Sequence, residues 1–195
     1  MSEYENRIYE LLTSSEDKFK SSFEIANRFD KVKWKLIKDF WVSVKEELEK
    51  LIEENNEDFS VELDSDILRQ YSKCYVYLDN NINTRILYQN LAEDQCIGIW
   101  VDAFKVDQEK VNNYTRATGV DIQNLSTNTW WVSLKYISED FRDLDSLTLI
   151  LPEYSLAKSK IKAKELFDYA LVNKEHLRGI AANCFNKNEE IGKIL

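Results

Sequence analysis

Little in this sequence can bend, pin or activate a chain: 195 residues hold four glycines, one proline, three cysteines and one histidine. So few glycines leave little material for a phosphate-cradling loop. Neither Gly-x-Gly-x-x-Gly nor Gly-x-x-x-x-Gly-Lys-Ser/Thr occurs, which excludes the common Rossmann and P-loop nucleotide sites. Cys74, Cys96 and Cys184 are odd in number and lack CxxC spacing, so they indicate neither a disulfide framework nor a tetrahedral zinc site. They read instead as small buried hydrophobes. The lone His176 rules out any site that needs two histidines, and Glu175 beside it is on the wrong face of a helix to orient its ring. Ser133, Ser138 and Ser155 sit in no nucleophile-elbow setting. The start, Met1-Ser2-Glu3-Tyr4-Glu5-Asn6-Arg7, has no basic region followed by an apolar stretch, and no later run reaches membrane-spanning length. A cytoplasmic protein with no catalytic residue, cofactor or metal assigned is the expectation.

What is present is acid and aromatic bulk. There are 35 Asp and Glu against 26 Lys and Arg, a net charge of -9 and a pI near 4.8. Such a balance argues against a polybasic nucleic-acid or membrane surface as the main interaction. The acid is concentrated early: 21 acids face 13 bases through residue 98, and 14 face 13 after it. With 44% hydrophobic and 12% aromatic residues, the composition is that of a packed globular protein.

The apolar spacing predicts a short amphipathic helix over Glu3 to Leu12, a turn at Ser14-Ser15-Glu16-Asp17 and a second short helix around Phe19 to Phe29. The clearest element runs from Lys31 to Glu54. There Trp34, Ile37, Trp41, Val44, Leu48 and Leu51 recur at three-and-four spacing, with Leu36 and Phe40 widening the stripe. A surface so apolar has to be covered, by a sheet of the same molecule or by a partner chain. The period then shortens. Strands are predicted at Phe59 to Leu63, Lys73 to Leu78, Thr84 to Tyr88, Cys96 to Phe104 and Thr129 to Ile137, the second and third forming a hairpin. Asp107 is placed to cap a helix ending near Tyr114 or Arg116. Leu151-Pro152 marks an edge or loop, Ser155 to Leu171 a helix, and Asn186 with Glu189 a capping box before Ile191 and Leu195. The pattern is α+β, with a mixed or mainly antiparallel sheet packed against a long amphipathic helix and C-terminal helices. No Gly- or Pro-rich linker divides the chain. One domain over 1–195 is the first reading, with a helical lobe over 1–57 as the alternative.

For partner contact, the candidates are Trp34 and Trp41 on the stripe and Glu53, Glu54, Glu57 and Asp58 at the helix end. A candidate basic patch is Lys158, Lys160, Lys162 and Lys164, and Arg85 beside Tyr88 would assist stacking against single-stranded nucleic acid. A nuclease would draw on Asp79, Glu93, Asp94, Asp102 and Asp107 to hold a divalent ion. The restriction-type acidic residue followed by Glu-x-Lys on a neighbouring strand is missing: Asp102-Ala103-Phe104-Lys105 has the wrong spacing and chemistry.

The helix around Trp34 to Leu51, the strands Tyr75-Val76-Tyr77 and Arg85-Ile86-Leu87-Tyr88, and Trp130-Trp131-Val132-Ser133-Leu134 together resemble the accessory α+β regions of bacterial and phage-associated nuclease-like proteins. The resemblance spans roughly residues 34–171 and carries over no catalytic residue. It implies a phage, defence or mobile-element context. The residues themselves suggest an acidic protein that binds another protein as an inhibitor or accessory, its partner a basic nucleic-acid-binding protein. The alternative is a metal-dependent nucleic-acid-processing enzyme or accessory module. A third reading uses Trp34 and Trp41 for homo-oligomerisation.

Overall fold

Helix formation starts at Ser2, whose hydroxyl accepts from the Glu5 amide at 3.2 Å while the Glu5 carboxylate accepts from the Ser2 amide. This capping box satisfies two otherwise orphaned donors and begins α1, Glu3–Thr13. After Ser14 and Ser15 the chain enters α2, Glu16–Glu54, 39 residues long. The two helices predicted over Phe19 to Phe29 and Lys31 to Glu54 are one, because Asp30 between them is neither glycine nor proline and leaves the hydrogen-bond ladder unbroken.

This computed structural model describes residues 2–67, 69–78, 81–119 and 130–185. Asp79 and the predicted cap at Asn186 and Glu189 lie outside the described residues. The chain divides into two units, residues 1–36 and 37–195. The division falls inside α2 rather than after residue 57, and the reason lies in the side chains. Ile37, Phe40, Trp41, Val44, Leu48 and Ile52 are buried, whereas no described residue before Ile37 is.

The C-terminal unit is built on a five-stranded, wholly antiparallel sheet in the order β1-β2-β3-β4-β5. Its strands are β1 Phe59–Leu63, β2 Lys73–Leu78, β3 Thr84–Gln89, β4 Cys96–Val101 and β5 Trp131–Tyr136. β4 stops short of Phe104 because the Asp102 carbonyl turns back to accept from the Lys105 and Val106 amides. Asp107 then caps α3, Gln108–Thr118, accepting from the Glu109 and Lys110 amides, and Gly119 closes it at φ 68°, where a side chain is disfavoured.

Alternation sorts the strands into two faces. Val76, Ile86, Tyr88, Ile99 and Val101 share one face and are buried. Trp41 of α2 meets Tyr88 with ring centroids 4.9 Å apart, and its indole N–H donates to the Leu91 carbonyl at 2.9 Å. The stripe on α2 is therefore covered within the chain over residues 37–52, by Tyr88 of the sheet at Trp41 and by Phe141 at Phe40. Three further helices follow: α4 Leu144–Thr148, α5 Pro152–Val172 and α6 Lys174–Asn183. Pro152 opens α5 rather than a loop, at a helix position where its missing amide costs nothing. All three cysteines are free and buried, and burial pushes the Cys74 thiol up to about 12 and the Cys96 thiol to about 11. Neither is a thiolate near neutral pH. Among the described residues no helix is long and apolar enough to cross a membrane.

Candidate functional site

In the N-terminal unit, Tyr4, Ile8, Leu11 and Leu12 follow helical spacing along α1. In the first turns of α2, Phe19, Phe23 and Ala26 follow one line, and Ile25, Phe29 and Val32 a second beside it. Amphipathic helices of this kind draw their stability from burying such lines. Here they stay uncovered: Tyr4 is 73%, Phe23 63% and Ile25 66% exposed. Leu11 and Leu12 of α1 and Ser21, Ser22 and Ile25 of α2 line an open concavity of about 280 Å³ with Asp17 and Lys18. Charge is balanced, with seven acids and seven bases over residues 1–36, so the whole net charge of -9 belongs to residues 37–195 with their 28 acids and 19 bases. Within the N-terminal unit the signs are segregated. Residues 1–17 hold five acids and one base, residues 18–36 six bases and two acids.

A second feature lies on the other face of the sheet. Cross-strand register sets Arg85 opposite Tyr77 and Trp100. Its guanidinium carbon lies 4.6 Å from the Tyr75 ring centroid and 4.0 Å from that of Trp100, a cation between two aromatic planes. Trp130 stacks on Trp100 at 5.3 Å, and Phe104, 82% exposed, meets Trp130 edge-on. Leu87, Cys96 and Trp131 form the buried base of this cluster. The hydroxyls of Tyr75 and Tyr77 both donate to Glu62, the second at 2.8 Å, and these bonds hold the Glu62 carboxyl below its ordinary range. With Glu62 engaged, Arg85 Nε is buried without an acceptor among the described residues, and burial lowers the Arg85 pKa.

Several sequence candidates are placed differently. Trp41 is fully buried, so it is a core side chain and presents nothing to a partner or a second copy. Trp34 is half-buried, with Lys33 Nζ 5.3 Å from its ring centroid. Tyr88 is three residues from Arg85 on a strand and so faces the opposite side, its hydroxyl donating to Gln95 at 2.6 Å. Glu53 and Glu54 are exposed. Glu57 and Asp58 are not free acids: both pair with Lys174, and Asp58 also with Arg178 at 2.8 Å. The lysine run does not make a free basic patch, since α5 spreads it around the helix. Lys162 is buried between Glu139 and Glu165, Lys158 pairs with Glu139, Lys164 with Asp168, and Lys160 is exposed. His176 packs its ring edge-on to Tyr114. Of the proposed metal carboxylates, Glu93 and Asp94 pair with Arg142, Asp102 accepts from the Phe104 amide, and Asp107 caps α3. Among the described residues no three metal-ligating side chains come together.

The Asp58 contacts make a pH-dependent fastening. Hydrogen bonds from Lys174 and then Arg178 hold its carboxyl down at about 2. A carboxyl depressed by folding stabilises fully above its unfolded value of about 4, and that contribution is lost as pH falls towards the folded value. Asp58→Asn should therefore lower the urea midpoint of the C-terminal unit at neutral pH, with the gap to wild type closing as pH falls from about 4 towards 2.

No family model, no curated protein and no solved structure matches this chain.

Proposed function

We propose that this protein works by binding another protein, as an acidic inhibitor or accessory protein in a phage, defence or mobile-element setting. The observation that carries the reading is the N-terminal unit, whose large apolar side chains from Tyr4 to Val32 are left exposed. Contiguous apolar surface of that extent marks an interaction site in a soluble chain. Its concavity, about 280 Å³, is smaller than the roughly 300–1,000 Å³ of small-molecule sites and better suited to side chains of another protein. The C-terminal unit carries the entire net negative charge, a field that steers a basic partner such as a protein that itself binds nucleic acid.

A second reading, an accessory module for nucleic-acid processing, has one observation in its favour. Arg85 between Tyr75 and Trp100, with Trp130 and Phe104 alongside, can take a phosphate and stack unpaired bases. One capture experiment separates the two. Immobilised full-length protein should retain a stoichiometric protein from a nuclease-treated extract of its host at moderate salt. Glu53→Lys with Glu54→Lys should slow that association about tenfold without changing the near-UV spectrum. Retention lost on nuclease treatment, and lost again in Arg85→Ala, would transfer the assignment to nucleic acid.

A further inference from the structure

We infer that Arg85, on the sheet face turned away from α2, holds a single carboxylate supplied by a ligand, either a free organic acid or the chain end of a protein. The site belongs to the C-terminal unit and goes beyond the protein-binding reading, which neither its success nor its failure decides. An unused donor set argues first. A guanidinium carries five N–H donors in a rigid fork and stays charged in proteins. Arg85 makes no hydrogen bond or ion pair among the described residues, and its Nε is buried without an acceptor. A donor left in that state is destabilising, and an acceptor brought by a ligand offsets the cost. The neighbouring acids are engaged elsewhere. Glu62 accepts from both Tyr75 and Tyr77, Asp64 faces Arg69 at 3.8 Å, and Asp102 accepts from the Phe104 amide at 3.1 Å.

Shape argues next. Because β2 and β4 flank β3, Tyr75 and Trp100 lie against the guanidinium from opposite sides, 4.6 and 4.0 Å from its carbon. The rings cover the flat faces of the fork, and its N–H edge is what a ligand meets. A carboxylate is planar and accepts from two nitrogens of such an edge at once. Trp130, stacked on Trp100, and the exposed Phe104 extend the wall for an apolar or aromatic group attached to the acid. Charge then limits the ligand to one negative charge. Glu62, Asp64 and Asp102 all act on Arg85, and of the bases Lys73 shares its neighbourhood. A phosphate dianion or a nucleic-acid backbone would meet those three carboxylates with the net negative charge of the whole unit behind them.

The test is an NMR titration of nitrogen-labelled full-length protein with sodium benzoate, read at the Arg85 Nε–H and Trp100 indole N–H signals. Both should shift saturably, with half-saturation at about 1 mM for a ligand of so few atoms. Benzamide, the neutral counterpart, should bind at least about tenfold more weakly. Arg85→Lys keeps the charge but loses the fork, and should weaken benzoate about tenfold at the Trp100 signal. Glu62→Gln withdraws a neighbouring negative charge and should tighten benzoate about twofold to threefold, a gain that misfolding cannot mimic. A peptide ending in phenylalanine with a free carboxylate, set against its amidated form, identifies the source. Binding about tenfold tighter than benzoate and lost on amidation assigns the site to a protein chain end, whereas binding no tighter than benzoate assigns it to a free organic acid. Benzamide binding as well as benzoate overturns the inference, as does a benzoate response unchanged in Arg85→Lys or absent up to a concentration on the order of 20 mM. Inorganic phosphate or oligothymidylate shifting the same signals at lower concentration than benzoate overturns it too, in favour of a phosphate site.

Discussion

Gly98→Ala should destabilise the C-terminal unit by roughly 3 kcal/mol, enough to remove much of its folded population. A β-carbon built at Gly98 would sit 1.9 Å from the Ser133 carbonyl oxygen and 2.8 Å from its carbon. These are backbone atoms of the adjacent strand, and they have no rotamer by which to move aside. The pair Gly98–Leu134 lies next to a register shift between Ile99 and Trp100. The added methyl would therefore push β5 away and break the hydrogen bond from the Ile99 amide to the Ser133 hydroxyl, 3.1 Å long. Gly119→Ala is the informative comparison. Gly119 has a positive φ of 68° but nothing within 4 Å of its β-carbon, so conformational strain alone applies, about 1 kcal/mol. Urea denaturation of the two variants should rank them in that order.

Trp41→Ala should cost roughly 4 kcal/mol, near the upper range for emptying an aromatic site in a core. The side chain is 0% exposed, in edge-on contact with Phe40 and tilted against Tyr88, and its removal also strips the Leu91 carbonyl of the indole donor. Phe23→Ala lies in the same helix and removes nearly as large a ring, yet it should leave the denaturation of the C-terminal unit within about 0.5 kcal/mol of wild type, as an exposed substitution does. The contrast separates the part of α2 that is core from the part that is surface.

Both halves of that helix read alike in the sequence, which explains where the sequence was informative. Spacing reports that a face is apolar, and it does so equally for Trp41 and for Phe23. What covers the face depends on contacts far away along the chain. Elements defined by local pattern were legible: the strands at Phe59, Lys73 and Thr84, the Asp107 cap and the α+β class all follow from alternation, capping and turn residues. The sites were less so. Glu57 and Asp58 read as free acids because Lys174 and Arg178 stand more than a hundred residues away. The box around Arg85 needs three strands in register, and Tyr75 and Trp100 become its walls only once β2 and β4 flank β3. One signal at the N terminus was available in the sequence alone. Between Phe19 and Val32 the apolar residues fall on two helical lines, more than a single sheet contact would cover.

The central claim is that the N-terminal unit takes its cover from another protein chain. Amide hydrogen exchange of residues 3–36 in full-length protein, measured alone and in the complex recovered from nuclease-treated extract, tests it most directly. The account predicts weak protection across α1 and the first turns of α2 in the free protein and strong protection there in the complex, while amides of β2, β3 and β4 keep theirs unchanged. Protection across residues 3–36 that is the same in the free protein and in the complex would contradict it.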